Sequence, residues 1–347
     1  MLRRLGLLVC AALLAQTPAL AADRLSVARD ANTPPLMNAL NLIAQGAGYY
    51  KEANLEVTAY LTHTPGSREA LQACSSGKAD ICPVGIEPVI SLRDEGVHLK
   101  MFLSRASKFG YVIAVPQDSS IRTLSDFRGK TLGVHSTSGT SGVVATISSL
   151  SGAGLKSTDY KIVTIGMESQ AMDTLASGKA DAAALPLYEL IPFMVSGTKL
   201  RILRHPVLGE FANAGYAASP QEMESKGDAL KRFSRAIVKA SLLVRYNPKA
   251  AARALLTADG KPVDEASLKA KTAELVAWED DLPASDPDNK RIGEMSLSGM
   301  QAYIELLADA GAIKSTIPVS EVVTDQYVPF ANDFDRKAFE QSAKAAQ

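Results

Sequence analysis

Two spacings of apolar residues alternate along this chain. Short runs rich in β-branched and aromatic residues are typical of buried strands, and apolar residues that recur every three or four positions are typical of helices. The strand pattern occurs at residues 25–29, 55–61, 79–84, 99–103, 111–115, 131–134, 161–165, 180–185, 200–203 and 216–219. Helical spacing fills most of the intervals, and this alternation predicts an α/β fold with mostly parallel strands.

The helical spacing continues beyond the last strand pattern. Helices are predicted at residues 34–47, 67–74, 87–93, 142–150, 169–176, 188–195, 232–246, 249–256, 265–278 and 297–310. Thr33 can cap the first of these helices, and Pro34 suits its first position because the missing N–H has no partner there. The C-terminal third of the chain is therefore expected to be mainly helical.

One five-residue sequence occurs twice in the chain. Residues 76–80 and 177–181 both read Ser-Gly-Lys-Ala-Asp, and each copy follows a predicted helix and precedes a predicted strand. Glycine can adopt the left-handed conformation that ends a helix, and lysine is favourable near the negative end of a helix. The repeat predicts two similar lobes, although a common helix-to-strand junction that arose twice is an alternative. Because there is no third copy, a solenoid is not expected.

The first 21 residues have the pattern of a secretory signal peptide. Arg3 and Arg4 precede an apolar run at 5–15, and the sequence Ala-Leu-Ala at 19–21 is a typical cleavage site. The run is shorter than the roughly 20 residues that span a membrane, although an N-terminal anchor helix is the alternative. Cys10 lies inside the run and follows Val9 instead of a small residue, so we expect a periplasmic protein without a lipid anchor.

The charge balance excludes several classes of partner. The chain has 37 basic and 37 acidic residues, and removal of Arg3 and Arg4 leaves 35 against 37. A nearly neutral chain of this kind has no basic footprint for nucleic acid and no polybasic patch for a membrane surface. The remaining length of about 325 residues is sufficient for two domains. We expect a monomer that binds no nucleic acid.

Cysteine and histidine residues do not indicate a metal site. The four histidines are scattered without the spacing of metal ligands, so no metal and no cofactor are predicted. Cys74 and Cys82 are the cysteines that remain after cleavage of the signal peptide. Export would permit a disulfide between them, but spacing alone does not show the required geometry, and two separate buried residues are the preferred interpretation.

Candidate ligand contacts lie in loops that follow predicted strands and open helices. In α/β sheets, ligands bind beyond the carboxyl ends of the strands. Hydroxyls, glycines and free N–H groups at helix N-termini suit an anion, whereas ordinary helix capping is the alternative for each loop. The candidates are Asn32, Thr33, Thr64, Gly66, Ser67, Gly85, Glu87, Ser138, Gly139, Thr140, Ser141, Pro186 and Tyr188.

Two of these candidates occupy matching positions in the two halves. Glu87 and Tyr188 are 101 residues apart, as are the repeated sequences, and both would open a helix at the rim of a cleft. Glu87 would accept a hydrogen bond from a ligand amine or hydroxyl, or would be a carboxylate favoured in the first helical turn. Tyr188 offers a flat ring with a polar tip. The candidate loops contain no arginine that would clamp a strongly anionic group, and Trp278 is expected to pack in the core.

No catalytic set is evident in the sequence. The chain has no Gly-x-Ser-x-Gly elbow, Walker loop, Rossmann glycine fingerprint or His-Glu-x-x-His sequence. The acidic stretch at 279–288 lacks the ligand order of a calcium loop. The sequence therefore predicts no catalytic residues.

Three segments together resemble a known family. These are Leu-Ser-Asp-Phe-Arg-Gly-Lys-Thr-Leu-Gly-Val at 124–134 followed by Ser138-Gly139-Thr140, the doubled Gly-Lys-Ala-Asp sequence, and Thr-Pro-Gly-Ser at 64–67. The chain resembles the periplasmic substrate-binding proteins of nitrate/sulfonate/taurine-type ABC importers, which include binders of thiamine-precursor pyrimidines. The likeness covers about residues 24–310. Related pyrimidine-synthesising enzymes carry a cysteine-rich iron motif, which this chain does not have.

The resemblance implies a type II periplasmic binding protein fold with two lobes, a hinge and an interlobe ligand cleft. One lobe would comprise residues 22–113 and 216–347, the other 114–215, with hinge crossings near 112–116 and 212–218. The implied function is capture of a small organic anion and its delivery to the permease of an ABC importer. An enzyme on the same fold, acting on a pyrimidine-like or anionic substrate, and a ligand-sensing subunit of a membrane receptor are the alternatives.

Overall fold

The computed structural model describes residues 21–30, 35–62, 68–134, 141–166, 168–204, 212–284, 286–309, 311, 313–314 and 316–346. Its strands are β1 (Asp23–Asp30), β2 (Leu55–Thr62), β3 (Cys82–Gly85), β4 (Lys100–Ser104), β5 (Tyr111–Pro116), β6 (Thr131–Val134), β7 (Lys161–Thr164), β8 (Ala182–Pro186), β9 (Leu200–Leu203) and β10 (Ala214–Ala218). Each of them overlaps one predicted strand segment, so the predicted alternation is confirmed.

The helices follow the predicted spacing closely. They are α1 (Ala39–Gly46), α2 (Tyr49–Glu52), α3 (Arg68–Ser75), α4 (Ile86–Ser91), α5 (Ser141–Gly152), α6 (Glu168–Ala176), α7 (Leu187–Val195), α8 (Pro220–Ser225), α9 (Gly227–Tyr246), α10 (Pro248–Ala258), α11 (Glu265–Trp278), α12 (Leu297–Asp309), α13 (Val328–Asn332) and α14 (Arg336–Ala345). A 3-10 turn, Pro35–Asn38, precedes α1. Helices α2, α8, α13 and α14 lie outside the predicted segments.

The first group of strands follows the order β2-β1-β3-β10-β4. Strands β1 and β2 are parallel, and a parallel bridge between Val27 and Ile81 joins β1 to the segment that enters β3. Strand β10 is antiparallel to both β3 and β4. The parallel strands are connected through helices, because parallel neighbours cannot be joined by a short hairpin.

The second sheet repeats this arrangement with other strands. Its order is β7-β6-β8-β5-β9, in which β6 is parallel to β7 and β8. Strand β5 is antiparallel to β8 and β9, as β10 is antiparallel to its neighbours in the first group. Each sheet thus contains one antiparallel strand that the chain forms directly after it arrives from the other sheet.

The connections between the two sheets precede these antiparallel strands. The predicted crossings near 112–116 and 212–218 fall mostly within β5 and β10. The chain passes from β4 to β5 through residues 105–110, and from β9 to β10 through 204–213. The positions of the hinges and the bounds of the lobes stay a prediction.

The long helix α9 organises the main core beside the first group of strands. Its Phe233 ring lies edge-on to Tyr216, with centroids 5.2 Å apart, and stacks on Tyr50 at 5.7 Å. Helices α1 and α10 approach so closely that a Cβ atom at Gly46 would clash with the carbonyl oxygen of Ala254. Gly46 is therefore required for this helix contact, which the sequence analysis did not anticipate.

The two cysteines are joined. Cys74 in α3 and Cys82 in β3 form a disulfide with a Cα–Cα distance of 6.2 Å. Both residues are also fully buried, as predicted. The interpretation as two separate residues was wrong because folding brings the end of α3 beside the start of β3, which the spacing of eight residues did not reveal.

Among the residues that the structure describes, no helix is long and apolar enough to cross a membrane. The predicted signal peptide lies outside the described residues except for Ala21.

Candidate ligand-binding site

Only some of the predicted contacts fall within the described ranges. Those outside are Asn32, Thr33, Thr64, Gly66, Ser67, Ser138, Gly139 and Thr140. Ser141 is the first residue of α5. Gly85, Glu87, Pro186 and Tyr188 are described in full. The geometry of the site is therefore built from these four residues and their neighbours.

Gly85 and Pro186 occupy equivalent places in the two sheets. Each residue is the N-cap of a helix, Gly85 of α4 and Pro186 of α7, and neither makes a side-chain capping bond. The N–H of Ile86 donates to the carbonyl of Asn213 at 2.8 Å, and the N–H of Leu187 donates to the carbonyl of Gly110 at 3.0 Å. Both helices therefore begin against the connections between the sheets.

Glu87 lies in the first turn of α4 and is only 5% exposed. Its Oε1 atom accepts hydrogen bonds from Asn213 Nδ2 and from the Tyr303 hydroxyl, both at 2.8 Å. A carboxylate is stable in a buried place when hydrogen bonds replace the water that it loses. The structure thus surrounds one oxygen of Glu87 with protein donors, where the sequence analysis placed a ligand amine or hydroxyl.

Tyr188 bridges elements that belong to different sheets. It lies in α7, its hydroxyl donates weakly to Met37 Sδ at 3.5 Å, and its ring meets Trp278 of α11 edge-on at 6.4 Å. Burial, followed by the charge of Glu189, raises the pKa of Tyr188. The hydroxyl therefore remains a neutral donor. Trp278 is 8% exposed, which confirms its prediction as a packed residue.

Arg105 is a candidate that sequence reasoning missed. It follows the carboxyl end of β4, where the first connection begins, and its Nη1 donates to the carbonyl of Met37 at 2.9 Å. Its Nε atom is buried and has no hydrogen-bond partner among the described residues. The candidate loops contained no arginine, but the end of β4 supplies one. Its place after a buried strand was the available signal.

The charge of Arg105 acts on tyrosines of both sheets. Burial raises the pKa values of Tyr111, Tyr188 and Tyr216, and the guanidinium opposes this increase in all three. Tyr111 belongs to β5, whereas Tyr216 belongs to β10. Arg105 therefore lies within electrostatic reach of side chains from both sheets.

A second donor lies beside the arginine. Asn38 is 5% exposed and directly follows Met37, whose carbonyl accepts from Arg105. Its Nδ2 atom is buried without an acceptor among the described residues. A buried donor without a partner costs about 1–3 kcal/mol, which an acceptor group on a ligand would offset. Arg105 Nε and Asn38 Nδ2 are thus two buried N–H donors of the kind from which an anion accepts hydrogen bonds.

The described residues do not form a metal site. Within these ranges no three His, Cys, Asp or Glu side chains are grouped so that they could hold a metal ion. The available chemistry is that of hydrogen-bond donors, a guanidinium and tyrosine rings.

A match to a family model shows which protein family includes this chain. A family model described as NMT1/THI5 like matches residues 38–251, more than half of the chain. The chain belongs to the NMT1/THI5-like family. The matched range of this family member includes Arg105, Glu87, Tyr188 and Asn213. No curated protein matches the chain.

Solved structures similar to this NMT1/THI5-like protein show its fold. The alkanesulfonate-binding protein SsuA from Xanthomonas axonopodis pv. citri, bound to MOPS, is 19% identical, with a TM-score of 0.63 over 88% of this chain and 99% of that chain. A periplasmic sulfonate-binding SsuA of a sulfonate ABC transporter from Methylobacillus flagellatus KT is 16% identical, with a TM-score of 0.60 over 90% and 94%. These likenesses show the periplasmic binding protein fold that the sequence analysis predicted.

A third solved structure, that of DszB, is also similar to this chain. DszB in complex with biphenyl-2-sulfinic acid is 16% identical, with a TM-score of 0.57 over 89% of this chain and 99% of that chain.

Proposed function

We propose that this protein is a periplasmic solute-binding protein that holds a small organic anion between two lobes and delivers it to an ABC importer. One lobe comprises residues 22–113 and 216–347, and the other comprises 114–215. The observation that carries the proposal is Arg105, whose buried Nε atom lacks a hydrogen-bond partner among the described residues. Tyr188, which contacts Met37 from the opposite sheet, lies within reach of its charge.

The donors favour a planar or tetrahedral oxyanion as the ligand group. A guanidinium offers several N–H groups in a fixed fork that matches carboxylate and sulfur oxyacid oxygens. Asn38 adds a second buried donor next to it. Two of the similar structures are named for a sulfonate or contain MOPS, and a third contains a sulfinic acid. A sulfonate is therefore the first ligand class to test.

Binding would act through closure of the lobes. Tyr188 of α7, which follows a strand of the second sheet, meets Trp278 of α11, and α11 also packs on α10. A ligand shifts the population towards this conformation only when it binds that conformation more tightly. Contacts with Arg105 on one side and with the tyrosines of both sheets supply such a difference. The predicted loop at 138–141 would add hydroxyl and N–H donors from the second lobe.

Ligand binding to the mature protein tests the proposal. Thermal unfolding and calorimetry would be measured with MOPS, an alkanesulfonate, an aromatic carboxylate and a pyrimidine. A ligand at 100 times its Kd adds about 2.7 kcal/mol to the free energy of unfolding, which raises the Tm by several degrees. Unchanged unfolding with every compound, together with no copurified ligand by mass spectrometry, would contradict a binding role.

The role of Arg105 is tested separately once one compound binds. We expect Arg105→Gln to weaken binding about 10- to 100-fold, because charge-assisted hydrogen bonds are lost. Arg24→Gln is the matched control, since Arg24 is highly exposed and pairs with Glu56. Equal affinities of the two variants would remove Arg105 from the site.

An enzyme on the same fold is the second candidate, favoured by the likeness to DszB. Incubation of the protein with its ligand, followed by mass spectrometry, separates the two functions. Recovery of unchanged ligand supports binding, whereas a new product supports catalysis. A receptor subunit is distinguished by its gene neighbours, because permease and ATPase genes nearby favour import.

A further inference from the structure

A buried hydrogen-bond network joins Glu87 to both connections between the sheets. Asn213, at the end of the second connection, donates through Nδ2 to Glu87 Oε1 at 2.8 Å. Its Oδ1 accepts from the N–H of Gly110, at the end of the first connection, at 3.1 Å. Tyr303 of α12 donates to the same oxygen of Glu87 at 2.8 Å. One asparagine side chain therefore links the two polypeptide segments on which any hinge movement depends.

Backbone hydrogen bonds extend the network to the first residues of α4 and α7. The carbonyl of Asn213 accepts from the N–H of Ile86 at 2.8 Å, and the carbonyl of Gly110 accepts from the N–H of Leu187 at 3.0 Å. Ile86 and Leu187 are the first residues of α4 and α7. The start of each helix is thus attached to a different connection, and Asn213 attaches these connections to each other.

The network is buried enough to define one geometry. Asn213 is 2% exposed, Glu87 is 5% and Tyr303 is 1%. Burial, followed by the charge of Glu87, raises the pKa of Tyr303 well above its usual range, so its hydroxyl keeps the proton that it donates. In surroundings of low dielectric, the loss of one member leaves the others without water to replace it. We therefore expect the hydrogen bonds among Asn213, Glu87 and Tyr303 to fix both the length and the direction of these contacts.

We propose that Asn213 is a positioning residue that sets the angle between the lobes through Glu87 and Gly110. In this role Glu87 acts on the hinge through Asn213, and its contribution to binding is indirect. The inference rests on the proposed binding function, because the geometry that it maintains is that of the closed ligand site. It assigns the matching positions of Glu87 and Tyr188 different roles: one holds the hinge and the other contacts the opposite lobe.

The variant Asn213→Asp tests this role with little change in shape. It keeps an oxygen for the N–H of Gly110 but replaces the donor to Glu87 by a second carboxylate oxygen. The chain has a single tryptophan, Trp278, which contacts Tyr188, so its fluorescence reports the contact between the lobes. We expect the folded, ligand-free variant to show red-shifted emission and a larger radius of gyration in X-ray scattering.

Reversing the direction of the hydrogen bond between residues 87 and 213 should restore the original geometry. Glu87→Gln alone keeps an oxygen that accepts from Asn213 and Tyr303, so emission and scattering should stay as in the unaltered protein. In the double variant Glu87→Gln with Asn213→Asp, the glutamine amide donates to the aspartate, and both readouts should return towards their original values. Asn247→Asp is the matched control, since Asn247 caps α10 and donates to Ala343, and neither partner belongs to the network of Asn213.

The outcomes separate the inference from the proposed function. If Asn213→Asp lowers the Tm but leaves the emission and scattering of the folded state unchanged, Asn213 has a purely structural role and the proposal is overturned. The same conclusion follows if the double variant does not recover. These measurements need no ligand, so they remain decisive when no compound binds. With MOPS as the probe, a drop of the competent state to about a tenth should weaken apparent binding about ten-fold.

Discussion

The two copies of Ser-Gly-Lys-Ala-Asp adopt the same backbone in different surroundings. Gly77 and Gly178 have φ values of 73° and 71°, and the following lysines donate N–H bonds back into α3 and α6. The aspartate N–H then donates to the neighbouring strand, to Ser26 in the first copy and to Thr131 in the second. The local sequence is therefore sufficient to specify the junction in both sheets.

The aspartate side chains show what the surroundings add. Asp181 is exposed and accepts from the N–H of Thr131 at 2.7 Å. Asp80 accepts from the N–H of Ser26 at the same distance, but it is 6% exposed and also pairs with Lys226 at the start of α9. The same five residues thus end a helix in both places, and only the first copy also holds the C-terminal helices to the sheet.

Removal of the two carboxylates should give the largest difference between the copies. We expect Asp80→Ala to lower the free energy of unfolding by about 2–3 kcal/mol, because it leaves the N–H of Ser26 without its side-chain acceptor and Lys226 with Glu222 alone. Asp181→Ala loses one exposed hydrogen bond and should cost about 1 kcal/mol. Urea unfolding measures both values. Equal costs would show that α8 and α9 do not distinguish the copies.

The disulfide is the second difference, because it encloses only the first junction. The positions equivalent to Cys74 and Cys82 in the second copy are Leu175 and Ala183, which are buried apolar residues. Closing a loop of this length is worth about 2.6 kcal/mol in the chain-entropy description, so the double substitution of both cysteines by alanine should destabilise by about that amount.

Reduction checks this expectation without substitution. The reducing agent should lower the Tm of the unaltered protein and leave that of the double alanine variant unchanged. An unaffected Tm in both proteins would show that the two thiols are not joined in solution.

The smallest expected effect is the loss of stability when the Asp80 carboxylate is protonated at low pH. Burial alone would raise the pKa of Asp80, but the hydrogen bonds from Lys226 and Ser26 outweigh it and hold that pKa below its usual value. A carboxylate with a lowered folded pKa stabilises the protein above its unfolded pKa, and this contribution is lost as the pH falls through the folded value. The difference in free energy of unfolding between the unaltered protein and Asp80→Asn should therefore shrink as the pH falls below about 4.

Urea midpoints of the two proteins at a series of pH values measure this convergence. Other acidic groups are common to both proteins and cancel in the difference. A difference that stays constant with pH would contradict the assigned role of the Asp80 charge.

The sequence was informative about elements but less informative about the site. Strands and helices follow from the period of apolar residues, and the places of Gly85 and Pro186 at helix starts follow from their position after a strand. Arg105 was not selected, because its neighbours in the sequence give no sign that Met37 accepts from it or that Tyr188 and Tyr216 lie within reach of its charge. Glu87 was selected for a ligand, whereas its partners Asn213 and Tyr303 are distant in the sequence.

By itself, the sequence determined the α/β alternation, the repeated junction and the position of each strand relative to the helix that follows it. These properties depend on the spacing of apolar residues and on glycine conformation, which act over a few neighbouring residues. Only the tertiary structure decided the pairing of Cys74 with Cys82, the ion pair of Asp80 with Lys226 and the network around Asn213. Each of these depends on a distance between atoms of separate elements, which is fixed when the sheets and helices pack.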